Sequence, residues 1–298
     1  MGGLNRRELL GASLGLGLAS VLGRASPAAG RAVQPPGSHI GFGMVTYIWG
    51  KDLALPELLD CLARAKVLGV ELRTQRAHKV EPDLSPAERA EVKKRFADSP
   101  VTLVGLGTAE DLHHADPKAL RKAVETTKAF IKLSHDVGGS GVKVRPNDLP
   151  KNVPEEKTIA QIGKTLNELA AFGADFGQQV RLEVHGRCSP LPIIKRIMDI
   201  ADHPNAAVCW NSNSTDLQGA GLEANFNLVK HRFGATAHVR RLESPDYPFQ
   251  ELIRLFVKMD YRGWILLEAH DEPKDLVAAL IHERELFQRM LAQAQASA

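Results

Sequence analysis

A single-domain α/β protein built as a (β/α)8 TIM barrel is predicted by three features of the 298-residue sequence. Eight short β-branched runs alternate with eight amphipathic stretches from Ile40 onward, and no low-complexity break interrupts them. Each helix between consecutive strands forces those strands to run parallel. Strands are expected at 40–48, 70–76, 101–107, 141–145, 180–185, 207–211, 236–240 and 264–269. Helices are expected at 55–68, 85–98, 117–137, 155–176, 192–201, 222–233, 249–259 and 275–294. Ser85-Pro86, Asp116-Pro117 and Val153-Pro154 have the character of helix starts, and Gly69, Gly138 and Gly234 stand where helices should stop. An open doubly wound sheet usually has fewer units and a glycine-rich phosphate turn. Neither GxGxxG nor GxxxxGK[ST] occurs.

The barrel is assigned to 40–298, a short linker to 30–39, and a twin-arginine-type signal peptide to 1–29. The signal reading rests on Arg6-Arg7, an apolar Gly/Ala-rich stretch from Leu9 to Gly23, and the small residues around Ala28. The apolar stretch is short for a membrane span of about 20 residues, so export to the periplasm or medium is expected, with no stable membrane insertion after processing. Such signals serve the route that carries folded proteins, which favours a protein loaded with a metal or cofactor. Hydrophobic residues at 44% and charged residues at 24% describe a large core. Net charge is +3, and loss of residues 1–29 removes three basic residues and one acidic residue, leaving +1. A near-neutral body is not the footprint of a nucleic-acid or anionic-membrane partner. Cys61, Cys188 and Cys209 show no CxxC spacing and are expected to be buried thiols.

Alternation along the last four strands places polar residues on the inward face, at the carboxyl ends where such barrels carry their sites. A lower tier of Glu183, Asn211, His238 and Glu268 lies beneath an upper tier of His185, Asn213, Arg240 and His270. Burial of four such groups without partners would cost several kcal/mol, and one divalent cation answers all of them. Oxygen-rich ligation with one imidazole suits Mn²⁺, Mg²⁺, Co²⁺ or Zn²⁺. A shift of two residues in strand register would substitute Asn213 for Asn211.

The runs Leu182-Glu183-Val184-His185-Gly186, Cys209-Trp210-Asn211, Ala237-His238-Val239-Arg240 and Leu267-Glu268-Ala269 resemble, in order and spacing, the motifs of the xylose isomerase-like TIM-barrel superfamily, which includes epimerases of the tagatose and psicose type. The likeness covers residues 40–290. It implies Glu183, Asn211, His238 and Glu268 as ligands of one divalent metal, with Glu183 and Glu268 also serving as acid and base. Two departures stand out: the family usually has Asp where Asn211 stands, and its epimerases have His where Ser214 stands. The first lowers the ligand charge from −3 to −2 and should weaken metal affinity.

The chemistry implied is proton abstraction beside a sugar carbonyl, by Glu183 or Glu268. Return of the proton to carbon gives isomerisation or epimerisation. Loss of a β-oxygen gives elimination, and hydration then completes cleavage of a 3-keto-glycoside, as in some secreted members of the superfamily. His185, Arg240, His270, Lys143, Arg145 and Trp49 are candidate contacts for the carbohydrate substrate. A sugar-binding barrel without catalysis is an alternative. A metal-dependent endonuclease of abasic DNA is a further one, disfavoured by the charge balance. Pairing of two copies through the outer helices would be usual for such barrels.

Overall fold

The structure, a computed structural model, describes residues 34–297. The expected signal segment lies outside them. Eight parallel strands close in sequence order, each bonded to the next and β8 to β1. They are β1 (Gly41–Val45), β2 (Gly69–Arg73), β3 (Thr102–Asp111), β4 (Gly141–Arg145), β5 (Gln179–Glu183), β6 (Ala206–Asn211), β7 (Phe233–Val239) and β8 (Trp264–Leu267). Around them run α1 (Leu55–Ala65), α2 (Pro86–Ala97), α3 (Pro117–Val137), α4 (Glu155–Ala174), α5 (Leu191–Ile200), α6 (Leu222–Val229), α7 (Phe249–Lys258) and α8 (Leu276–Ala296). Among the described residues no helix is long and apolar enough to cross a membrane.

Helix boundaries follow local chemistry. Ser85 Oγ accepts the Glu88 N–H while the Glu88 carboxylate accepts the Ser85 N–H, a reciprocal cap that starts α2. The Asp116 and Asp275 carboxylates cap α3 and α8 without such a return bond, accepting the Lys118 and Ala278 N–H. Gly138, at φ 92°, closes α3 as expected. Gly69 and Gly234 do not close helices. α1 ends at Lys66 in the left-handed region, and both glycines belong to strands. β3 runs four residues past its expected end, because the β4 backbone supplies partners to a segment with no apolar alternation of its own. Cys61, Cys188 and Cys209 are buried free thiols.

The reason for the strand glycines is steric. A Cβ on Gly41 or Gly69 would run into the Trp264 ring, one on Gly105 would come within 2.8 Å of the Arg181 guanidinium, and one on Gly107 within 2.6 Å of Glu71 Oε1. The barrel interior is therefore asymmetric. β1 to β4 contribute space, and β5 to β8 contribute most of the bulk and polarity that fills it. Arg181 is wholly buried there, donating to Ser140 Oγ and Gln179 Oε1.

Gly69→Ala is expected to destabilise the protein by about 1–3 kcal/mol through overpacking against Trp264. Urea unfolding would show a lower midpoint with an unchanged slope; an unchanged midpoint would mean that the interior can give way.

Candidate active site

The carboxyl ends of the strands open into a cavity of about 610 Å³. Glu183, Asn211 and Glu268 of the lower tier line it, and so do His185, Asn213, Arg240 and His270 of the upper tier, with Lys143 and Arg145. His238 sits just beneath, without exposed surface. Strand alternation thus brings both tiers to one place, although they are scattered over some ninety residues of chain.

Glu183 is the most constrained group. Lys143 Nζ donates to its Oε2 at 2.7 Å with both side chains buried, and Asn211 Nδ2 donates to its Oε1 at 3.0 Å. His238 Nδ1 lies 3.3 Å from Glu183 Oε1 and 3.7 Å from Glu268 Oε2. Against the penalty of burial, Lys143 and then His238 hold the Glu183 carboxyl well below the usual carboxylate range. Among the described residues Glu268 has the His238 imidazole as its one ion-pair partner within 4.0 Å, with Lys143 and Arg73 farther off, and a tenth of its side chain is exposed.

His238 presents its other face to a residue that the motif reading had passed over. Glu71, at the middle of β2 and wholly buried, places Oε1 3.3 Å from His238 Nε2. Against its own burial, Glu71 is held low by His238, with Lys143 and Arg181 behind it. Burial opposes a charge on His238, but the Cys209 sulfur, Glu71 and Glu183 raise the imidazole well above its ordinary value. The alternation that puts the candidate ligands on inward faces applies equally to Gly69, Glu71 and Arg73. It was legible in β2 but had no motif to draw attention to it.

The upper tier is wired differently. Asn147 Nδ2 donates to Asp111, so its Oδ1 accepts from His185 Nδ1 at 2.9 Å, leaving Nε2 as the free acceptor of the ring. Burial lowers the His185 pKa and favours the neutral form. Arg145 bonds Asp111 and the Ala109 carbonyl, and Arg240 bonds Asp246. The Asn213 amide donates to the Val184 and Asn211 carbonyls, which commits it to the loop. Asn211 is the amide that reaches Glu183, in keeping with the expected register.

Trp49 does not stand in the cavity. It is 2% exposed, packs in the core and donates to the Asp271 carbonyl, because the chain turns directly after β1. The aromatic ring that does line the cavity is Tyr47, set edge-on to His270. Arg73, Ser212, Ser214 and Asp246 complete the lining beyond the expected residues. Lys143 is a cavity residue whose ammonium is committed to Glu183, rather than a free substrate contact.

With this geometry in place, comparison with known proteins is informative. A profile described as xylose isomerase-like TIM barrel matches residues 59–290. The chain belongs to this family. A search of curated proteins finds no match. Among solved structures, an L-ribulose 3-epimerase is similar with a TM-score of 0.70 at 17% identity, over 86% of this chain and 96% of that one. The 3-keto-D-glucoside 4-epimerase of E. coli gives 0.71 at 14% identity, over 84% and 99%. The IolI protein, solved with a bound zinc atom, gives 0.71 at 13%, over 86% and 98%. At these identities the likeness concerns the fold.

Whether this member of the xylose isomerase-like family has residues that fit a metal can be judged from its own side chains. Glu183, His238 and Glu268 each offer a ligand atom, all within 4.8 Å of one another, and they are the one such group among the described residues. Glu71 opposite Nε2 supplies the carboxylate that orients an imidazole for ligation through Nδ1. Turning over the Asn211 amide would present Oδ1 to the same centre. The donor set fits one divalent ion, with Asn211 and the nearby Lys143 ammonium making it a less anionic seat than two carboxylates alone suggest.

Cys209, Glu71 and Glu183 favour the protonated imidazole of His238, and metal binding must displace that proton, so metal affinity is expected to rise with pH until the imidazole is neutral. Glu71→Gln should weaken Mn²⁺ or Zn²⁺ binding about 10–100-fold. Calorimetric titration at several pH values checks both. Affinity that is flat with pH, or unchanged by the substitution, would contradict this role for the Glu71–His238 pair.

Proposed function

We propose that the protein is a metal-dependent carbohydrate-active enzyme that removes a proton from carbon beside a sugar carbonyl. The observation that supports this reading most is the convergence of two unequal carboxylates, Glu183 and Glu268, on His238 Nδ1 at the floor of an open polar cavity. A divalent ion held by these residues and Asn211 would polarise the carbonyl and a neighbouring hydroxyl, and would stabilise the charge that develops on oxygen.

The chain's own groups then divide the work. Glu183 is held as the anion by the buried Lys143 ammonium, which opposes its taking up a further proton. Glu268, largely free of donors, is assigned as the base. The Lys143 ammonium, behind Glu183, favours negative charge on the substrate oxygens. His185 accepts a sugar hydroxyl through Nε2, or holds a proton there in transit. Tyr47 and His270 flank one edge of the sugar.

Return of the proton to carbon yields an epimer or isomer. Expulsion of a β-oxygen yields elimination, and a 3-keto-glycoside would be its substrate. The second outcome is favoured by Ser214, which lines the cavity without the imidazole expected of a ketohexose epimerase. Export fits either outcome and rests on the Arg6-Arg7 segment.

Glu268→Gln is expected to abolish exchange of a substrate C–H with solvent deuterium, read by proton NMR in D₂O on a panel of ketoses and 3-keto-glycosides. Loss of the aglycone from a glycoside would identify elimination, and exchange without it an isomerase. Glu183→Gln should also abolish exchange, but it leaves the buried Lys143 unpaired at a cost of about 3–5 kcal/mol, so its melting temperature must be followed alongside. Full exchange in the Glu268→Gln protein would rule out that carboxylate as the base.

A further inference from the structure

We propose that the sugar taken by this site carries an anionic group, a carboxylate or a phosphate, and that Arg73 binds it on the cavity wall formed by β2 to β4. This rests on the carbohydrate reading above and narrows its substrate class.

The argument comes from how the cavity's cations are paired. Lys143 is matched by Glu183, Arg145 by Asp111 and Arg240 by Asp246, at 2.7 to 2.8 Å. Arg73 is the exception. Among the described residues no carboxylate comes within 4.0 Å of its guanidinium, and its one hydrogen bond is a long contact from Nη1 to the Gly107 carbonyl at 3.5 Å. Glu183, Glu268 and Asp246 line the same cavity but none reaches this guanidinium, so among the described residues Arg73 is the cavity's one cation without an ion-pair partner and is open to an incoming anion.

The backbone that carries this side chain is fixed. The Arg73 N–H donates to Thr46 Oγ1 at 2.8 Å, and the Arg73 carbonyl meets His78 Nε2 at 2.9 Å. Its stem passes alongside Gly107. Burial, then Arg145 and Arg76, act against the charge on Arg73, and Glu183 and Glu268, out of ion-pair reach, support it only in part. An arriving anion would relieve that repulsion, and the planar fork of a guanidinium suits two oxygens of one carboxylate or phosphate. Arg145, pinned by Asp111, adds a second positive charge nearby without competing for the same oxygens.

The test compares binding of glucose, glucuronate and glucose 6-phosphate to the full chain by calorimetry, at low and high salt, in the wild type and in Arg73→Gln and Arg73→Lys. One of the two charged sugars is expected to bind at least about tenfold more tightly than glucose. That gap should narrow as salt rises, vanish in Arg73→Gln and persist in part in Arg73→Lys. Preference for glucuronate assigns the anion as a carboxylate, and preference for glucose 6-phosphate assigns it as a phosphate. Equal affinity for all three sugars, or a gap that survives in Arg73→Gln, would overturn the proposal and leave the carbohydrate reading intact. No binding of any of the three would count against the carbohydrate reading itself. Arg73-dependent binding of an acid without C–H exchange would uphold the anion site and count against proton abstraction.

Discussion

Charge kept out of water inside the barrel is the constraint on which the remaining structure turns. Glu71, Lys143, Arg181, Glu183 and His238 are all essentially without exposed surface. An isolated ion in such a place costs several kcal/mol, and a buried pair seldom adds net stability over an apolar substitute. Their retention is therefore a statement about chemistry more than about folding. The fold tolerates them because each meets an opposite charge or hydrogen-bond partners. Glu183 has Lys143, His238 lies between Glu71 and Glu183, and Arg181 is satisfied by Ser140 and Gln179.

Room for those groups comes from the glycines of the first four strands. Positions 41, 69, 105, 107 and 141 would each collide with an inward side chain if they carried a Cβ. A barrel of this width is normally filled by interdigitating branched residues in layers. Here the layers are lopsided, with Trp264 and Arg181 reaching across toward the glycine side. The same lopsidedness lets Glu71 stand behind His238 and lets Arg73 extend along β3. Packing at the amino end of the barrel and chemistry at the carboxyl end are two consequences of one arrangement.

The two catalytic candidates differ by environment and not by type. Glu183 is surrounded by donors, whereas Glu268 has one distant imidazole and partial access to solvent. An amide at Asn211 in place of the family's usual carboxylate, together with the Lys143 ammonium, makes the centre less negative than the motif alone implies. A less negative centre suits the accumulation of charge on substrate oxygen, at some cost in grip on a cation.

Much of this was readable from the order of residues alone. A side-chain period of two put Glu183, Asn211, His238 and Glu268 on inward faces, and alternating units made a closed parallel barrel the natural architecture, because those patterns depend only on near neighbours in the chain. Glu71 and Arg73 obey the same period, yet nothing local distinguishes a carboxylate that supports an imidazole from one that faces solvent. Trp49 and Tyr47 illustrate the converse: two residues apart at a strand end, they are separated by a turn that buries Trp49 in the core against the Asp271 carbonyl and leaves Tyr47 on the cavity wall. Which cations are paired and which remains free was likewise decided by folding, since Asp111, Asp246 and Glu183 reach their partners from different parts of the chain. Periodicity determines which face a residue takes; only closure of the barrel determines what it meets there, because electrostatic partnership is a matter of distances that the chain acquires on folding.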